Sequence, residues 1–270
     1  PLLEMVVVWL GDMLKVSLKG GHGMRTRCLV KLSVTGLSLW FVSAAANASV
    51  QQLEADLQAR LAGDGASMAI GQLVEEANSY VAEDVAITYA NGDLLSIARY
   101  RVQGNYAAPN SITLDGLSIS EVGMNTPVLS VGELVLMEPE AAVPALETFK
   151  AEGSVLKALN ARDITFRLEG SMAEELDSKA LAGYLSIDSL DLEAVSSAAV
   201  GLMAMQGISG ELNDLETGIS ATLALADMRL EALEGLDHPG EERLEHGELN
   251  GFSLIGEEWS VLLENAWVKG

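Results

Sequence analysis

The stretch from Ser111 to Glu138, SITLDGLSISEVGMNTPVLSVGELVLME, carries apolar residues at every second position but changes phase twice, each time beside a glycine. Leu114 is followed three positions later by Leu117, across Gly116. The same shift recurs at Gly132. Because side chains alternate strictly between the two faces of a strand, apolar positions three apart require a bulge, a bend or a break, and glycine permits each of these. The pattern predicts short or bent strands in a sheet that curves.

Alternating apolar positions are also found before and after this stretch. The run DVAITYANGDLLSIARYRVQG, which begins at Asp84, alternates on both sides of Asn91-Gly92, a pair that tolerates the positive φ angles of a tight hairpin. Further strands are predicted in the segments RDITFRLEG, LSIDSLDLEAV, GISATLALADMRLEAL, GELNGFSLIG and WSVLLENAWVKG. MAIGQLVEEANSYVAED fits a helix and a strand equally well.

Helical spacing is seen at the start of this region and in segments inserted between the strands. In SVQQLEADLQARLAG, Ser49 can cap a helix whose apolar residues recur every three or four positions, and Gly63 can end it. Similar spacing predicts helices around residues 140–160 and 171–184, and SSAAVGLMAMQG is a candidate for another. The predicted fold class is α+β, with a mainly antiparallel, curved β-sheet, an N-terminal helix and inserted short helices.

The N-terminal region indicates export. Residues 1–23 have no consistent period and are interpreted as an upstream overhang that is not native. Residues 24–48 have a basic start, an apolar middle and an A-x-A exit, the three parts of a secretory signal peptide. A retained anchor is the alternative, but the uncharged run from Leu32 to Ala46 is shorter than the roughly 20 residues of a spanning helix. We therefore predict cleavage after Ala48 and a periplasmic location.

Residues 49–270 are predicted to form a single exported β-rich domain, with truncation at the C-terminus as an alternative because Gly270 directly follows a predicted strand. The only cysteine, Cys28, precedes the cleavage site, so the mature chain is cysteine-free and does not depend on disulfides. The whole chain has a net charge of −23, and such an acidic surface repels nucleic acid and anionic headgroups. Hydrophobic residues make up 49% of the chain and recur with clear periods, which indicates a folded protein.

Three sequence features resemble catalytic or metal sites. His238, Glu242 and His246 are spaced four apart, as metal ligands on one helical turn would be, but H-E-x-x-H is absent and Pro239-Gly240 interrupts the turn. We interpret this segment as a solvated acidic loop. The acids of NDLETG and DSLDLE do not have the ligand spacing of a calcium loop of the EF-hand type.

The third feature is Ser154-Val-Leu-Lys157, which has the S-x-x-K spacing of penicillin-binding proteins and β-lactamases. No S-D-N or K-T-G partner follows it, and neither G-x-S-x-G nor a phosphate-binding glycine loop occurs in the chain. We interpret the match as chance. The sequence predicts no catalytic, cofactor-binding or metal residues, and no cofactor.

The segments ITLDGLSIS, LSIDSLDLEAV and HGELNGFSL resemble the AsmA-like and related β-rich periplasmic proteins of Gram-negative bacteria. This resemblance implies a curved, elongated sheet with one apolar face, and several members of these families are associated with envelope lipid handling. The present chain differs from AsmA-like proteins in being short and in having a signal predicted to be cleaved instead of a retained anchor. No functional residues are carried over.

Two non-enzymatic functions follow from these patterns. In the first, an exported envelope protein shelters a lipid or other apolar ligand on its curved sheet, whose Leu, Ile, Val and Met residues would form an adaptable lining. The alternative is a structural or protein-interaction module that acts through its sheet edges. Long exposed edges favour the second function, and a continuous apolar groove favours the first. The apolar face is equally interpretable as a closed core.

Overall fold

The computed structural model describes residues 50–62, 65–144, 156–168, 181–196, 198–215, 218–236 and 242–270. The predicted overhang and signal peptide lie outside the described residues. About 71% of the described residues are in strands, and these strands form one open, curved, antiparallel sheet. The predicted antiparallel curved sheet and N-terminal helix are therefore confirmed. The α+β class was wrong in the amount of helix, because the described chain is almost entirely β.

The described chain begins with one helical segment, which is followed by twelve strands. Helix α1 spans Val50–Leu57 and continues as a π-helical segment, Gln58–Ala62. The strands are β1 (Ser67–Ala69), β2 (Gln72–Glu76), β3 (Ser79–Thr88), β4 (Leu94–Asn105), β5 (Ala108–Ser120), β6 (Leu129–Met137), β7 (Leu156–Arg167), β8 (Leu181–Val195), β9 (Ala199–Asp214), β10 (Ser220–Glu234), β11 (Arg243–Gly256) and β12 (Ser260–Lys269).

The strands form an up-and-down meander. From β3 to β12, each strand pairs with the next along the chain, while β1 and β2 both pair with β3 and form one interrupted strand at the opposite edge. The hairpin predicted at Asn91-Gly92 joins β3 to β4, with Gly92 at a φ of 93°. The Gly92 amide donates a hydrogen bond of 2.9 Å to the Tyr89 carbonyl. This topology leaves β12 as one edge of the sheet.

A line that we call the central crease crosses every strand. Between β8 and β9, Ile187 pairs with Ile208 and Ser189 with Gln206, but the facing residues Asp188 and Gly207 between them do not pair. The same skip recurs at each interface with the register unchanged on either side. The central crease comprises Gly71, Asp84, Ala98, Gly116, Gly132, Asp163, Asp188, Gly207, Ala226, Gly251 and Glu264.

Backbone conformation at the central crease alternates from strand to strand. In the odd-numbered strands from β3 to β11, the crease residue has a positive φ of 53° to 65°. These residues are Asp84, Gly116, Asp163, Gly207 and Gly251, and glycine and aspartate are among the residues that adopt this conformation most readily. The glycines beside the sequence's phase changes thus mark bends within long strands. The prediction of short or bent strands is therefore confirmed, since the long strands are bent and β1 and β2 are short.

The central crease explains the three-residue spacing of apolar positions. Directly paired residues of neighbouring strands share a face, so the register defines one apolar row on each side of the crease. The first row is Val85, Ile97, Leu117, Val131, Ile164, Ile187, Ile208 and Leu225. The second is Leu73, Ala82, Tyr100, Leu114, Leu134, Ala161, Leu190, Met205, Met228, Leu249 and Ala266. We call the face that carries both rows the inner face.

A second crease lies six residues further along the even-numbered strands. Its positive-φ residues are Gly104, Glu138, Ala194 and Ala232, with φ between 50° and 96°. In β8 the buried apolar residue Leu192 is followed by Val195 across Ala194, again at a spacing of three. A strand such as β8 is therefore bent twice, and its apolar residues stay buried through both bends.

The inserted helices predicted for residues 140–160 and 171–184 are wrong wherever these ranges are described. Residues 139–144 are irregular, residues 156–160 begin β7, and residues 181–184 begin β8. Residues 145–155 and 171–180 lie outside the described residues. SSAAVGLMAMQG contributes to β9 and is not a helix. The physical reason is that a crease places apolar residues three apart, as one turn of helix does, so Leu156 and Leu159 fit both patterns.

The α1 segment packs against the sheet through buried leucines, and both it and residues 139–144 accept hydrogen bonds from tyrosines. Leu53 and Leu57 of α1 are fully buried. The Tyr106 hydroxyl donates a 2.7 Å hydrogen bond to the Asp56 carboxylate, and the Tyr100 hydroxyl donates a 2.8 Å hydrogen bond to the Ala142 carbonyl. Burial and the hydrogen bond to Asp56 raise the pKa of Tyr106, because they favour the protonated phenol that donates this hydrogen bond.

Candidate functional site

Of the two residues that define the S-x-x-K match, only Lys157 is among the described residues, so the structure shows no Ser154–Lys157 pair. Ser154 lies outside the described residues. Lys157 lies in β7, at the second crease, and its ammonium is paired at the sheet surface with the carboxylate of Glu138, which directly follows β6. That chemistry needs the serine and lysine one helical turn apart, whereas Lys157 occupies an extended strand.

The histidine and glutamate spacing near the C-terminus likewise falls on extended backbone. His238 lies outside the described residues, Glu242 directly precedes β11, and His246 lies within β11, where it contacts Glu248 at 3.0 Å. Four residues of strand span about 13 Å, so Glu242 and His246 do not share the single turn that a metal site would use. Within the described residues, no group of three or more His, Cys, Asp or Glu side chains is placed to hold a metal ion.

The feature that stands out is the edge strand β12. Its ten residues pair with β11 alone, over a register that runs from Ile255 with Ser260 to His246 with Lys269. The backbone groups on its other side have no neighbouring strand among the described residues. An exposed edge of this kind offers N–H and C=O groups that can pair with another chain.

Strand β12 is apolar on both of its faces, and the side chains are exposed. Its large apolar residues range from 41% exposed at Leu263 to 73% exposed at Trp267, and they include three in a row. They are Val261, Leu262, Leu263, Trp267 and Val268, with Trp259 just before the strand. Adjacent apolar residues point to opposite faces, so both faces of the strand present exposed apolar surface. The run VLL followed by WV is the sequence signal for this surface, and our sequence interpretation counted the segment only as one more strand.

The opposite edge of the sheet has features that discourage strand pairing. It is made of two short strands, β1 and β2, separated at the central crease, where the Gly71 amide donates hydrogen bonds to the Glu83 and Asp84 carbonyls of β3. Glu75 and Glu76 of β2 are exposed and charged. Short, interrupted and charged strands are a common protection of sheet edges. The two edges therefore differ in kind.

The inner face changes from buried to exposed at the β12 end. Along the first apolar row, Ile187, Ile208 and Leu225 are at most 4% exposed. Phe252 of β11 is partly exposed, and its partner Leu263 in β12 is 41% exposed. In the described part of the chain, the inner face is thus covered over most of its width and open beside the free edge.

The chain matches no protein-family model, and no curated protein or solved structure is significantly similar to it. The resemblance to AsmA-like proteins therefore stays a prediction. None of the helical residues that the structure describes forms a helix with the length and hydropathy needed to cross a membrane.

Proposed function

We propose that this chain is an exported, non-enzymatic envelope protein that binds a protein partner by accepting a strand at the free edge of β12. The observation that carries this proposal is a ten-residue edge that pairs with only one strand among the described residues and has exposed apolar side chains on both faces. In strand addition, main-chain hydrogen bonds give affinity and alternate side chains give specificity. The signal-like residues 24–48 support export to the periplasm.

A peptide copy of Asn110–Ser120, which is most of β5, tests this proposal. Strand β5 pairs with two even-numbered strands in the sheet, so its sequence suits an even-numbered neighbour such as β12. We expect the peptide to slow amide hydrogen exchange in residues 260–269 of the full chain while leaving β1 and β2 unchanged. Hydrogen-exchange mass spectrometry measures this, because new ladder hydrogen bonds protect the β12 amides.

Two lysine variants locate the binding. Leu263→Lys places a charge on the inner side of the edge strand, where an added strand would bury it, and we expect peptide protection to be lost. Val122→Lys is the matched control, because Val122 is 69% exposed but lies between β5 and β6. Absence of protection at β12 in the unmodified chain, or equal protection in the Leu263→Lys variant, would refute strand addition.

The second candidate function is the binding of a lipid or other apolar ligand. Its support is the exposure of the inner face beside β12, where Leu263 and Val268 are accessible. We expect native mass spectrometry of the chain purified from a bacterial periplasm to show a bound lipid that organic extraction recovers. A bare protein that also takes up no added lipid would rule this candidate out.

A further inference from the structure

Facing residues of the central crease are crowded at every second interface. A Cβ built on the glycine of each crowded pair would lie 2.9–3.0 Å from the Cβ of the residue opposite, closer than real Cβ atoms approach. The five pairs are Gly71 with Asp84, Gly116 with Ala98, Gly132 with Asp163, Gly207 with Asp188, and Gly251 with Ala226. Each crowded pair therefore contains one glycine, which lies on the first strand of the pair at some interfaces and on the second at others.

The interfaces between these pairs do not require a glycine, although three of the five contain one or two glycines. Ala98 faces Asp84 and Asp188 faces Asp163, so two residues with a Cβ face one another across the crease there. Crowded interfaces are those between an even-numbered strand and the next odd-numbered one, with β1 and β2 together preceding β3. By this alternation, the free edge of β12 is the next crowded interface.

The central crease residue of β12 is Glu264, which has a Cβ. A strand that continues the sheet beyond β12 must place a residue directly opposite Glu264. Since one member of each crowded pair is glycine, that glycine has to come from the incoming strand. The odd-numbered strands also show the conformation it would take, because their crease residues have positive φ.

We infer that the partner strand of β12 is antiparallel and carries a glycine opposite Glu264, within the pattern apolar-x-apolar-polar-Gly-apolar-x-apolar. This inference rests on the proposed strand addition. The apolar positions of the pattern lie opposite Val261, Leu263, Ala266 and Val268, and so extend both apolar rows of the inner face. The segment Ile112–Ile119, ITLDGLSI, is an example of this pattern within the chain itself.

Strand β12 of a second copy does not fit the same edge. Strand β12 contains no glycine, so antiparallel pairing of β12 with its own copy leaves Glu264 facing a residue with a Cβ. The chain's net charge of −23 also opposes self-association at low ionic strength. The strand that the edge accepts therefore carries the stated glycine pattern, which β12 of a second copy lacks.

Two peptides separate this inference from strand addition itself. One is the copy of Asn110–Ser120, with its crease glycine Gly116, and the other is identical except for Gly116→Asn. Asparagine tolerates positive φ and is uncharged, so the two peptides differ chiefly in the crowding that a Cβ causes. We expect the unmodified chain to bind the asparagine peptide at least about tenfold more weakly, measured by fluorescence titration of labelled peptides.

Substitution of Glu264 provides the reciprocal test. In Glu264→Gly the chain itself supplies the glycine, as Gly71 and Gly132 do in their pairs, and the two peptides should then bind within about threefold of each other. Glu264→Ala removes the charge but keeps the Cβ, so it should still prefer the glycine peptide. Circular dichroism checks that each variant is folded.

The outcomes distinguish the two proposals. If neither peptide binds at β12, strand addition fails and this inference fails with it. If both peptides bind the unmodified chain or Glu264→Ala equally well, the inference is overturned while strand addition stands. Dimerisation of the unmodified chain through β12, seen by analytical ultracentrifugation and abolished in Leu263→Lys, would also overturn it, because the edge would then accept a strand without glycine.

Discussion

Gly207→Ala is expected to destabilise the protein by about 3 kcal/mol, measured as the free energy of unfolding in urea. Gly207 lies on β9 at the central crease with a φ of 63°. An added Cβ would lie 2.9 Å from the Asp188 Cβ and still closer to the Asp188 carboxylate. Overpacking and the left-handed backbone therefore both contribute to the loss, the first by about 1–3 kcal/mol and the second by about 1–2 kcal/mol.

Gly218→Ala is the matched control for this variant. Gly218 has a similar φ of 71°, but nothing lies within 4 Å of its would-be Cβ. We expect it to lose only the backbone contribution, about 1 kcal/mol. In the double variant Gly207→Ala, Asp188→Gly, the crowded pair regains one glycine and the packing part of the loss should be recovered. Equal losses at Gly207 and Gly218 would contradict the crowding on which the crease rule depends.

The creases show how far the sequence could predict this fold. The spacing from Leu114 to Leu117 across Gly116 predicts a bend, and bends are found there. What the spacing does not reveal is that the bends of all strands lie on one line, because alignment across strands depends on the register, which is set by turn lengths as well as by the apolar pattern. The continuous central crease is a tertiary property.

The helices predicted within the strand region failed for a related reason. Apolar residues three apart in a bent strand are indistinguishable by spacing from one turn of an amphipathic helix, as Val200 and Met203 of β9 show. Both are buried in an extended strand, and between them lies Gly201, which is opposite Ala194 of the second crease. Glycine or aspartate within the spacing is the local feature that favours the bent strand, since glycine weakens a helix interior.

The candidate site was harder to predict from the sequence than the fold was. Consecutive apolar residues such as Leu262 and Leu263 fit a strand buried on both faces as well as an exposed edge. Only the topology, which makes β12 the last strand in the sheet, distinguishes these cases. The apolar residues of β12 mark it as a strand, but its place beside β11 alone in the described sheet comes from the order of the strands.

The inner face of the sheet is expected to behave as a packed core. Leu192 of β8 is fully buried on this face, and Leu192→Ala should lower the free energy of unfolding by about 2–5 kcal/mol, because it removes apolar contacts and leaves a cavity. Leu262→Ala in β12 is the matched control. Leu262 is 69% exposed, so the same truncation should change stability by no more than about 0.5 kcal/mol.

The size of the Leu192 effect also tests whether an apolar ligand could occupy the interior of the inner face. A large loss would indicate a tightly packed core, in which an apolar ligand would be confined to partly exposed regions of the inner face such as the strip beside β12. If Leu192→Ala instead loses less than about 1 kcal/mol in delipidated protein, the inner face is not closely packed in solution. An apolar ligand would then be the natural filling of that face, and lipid binding would replace strand addition as the better-supported function.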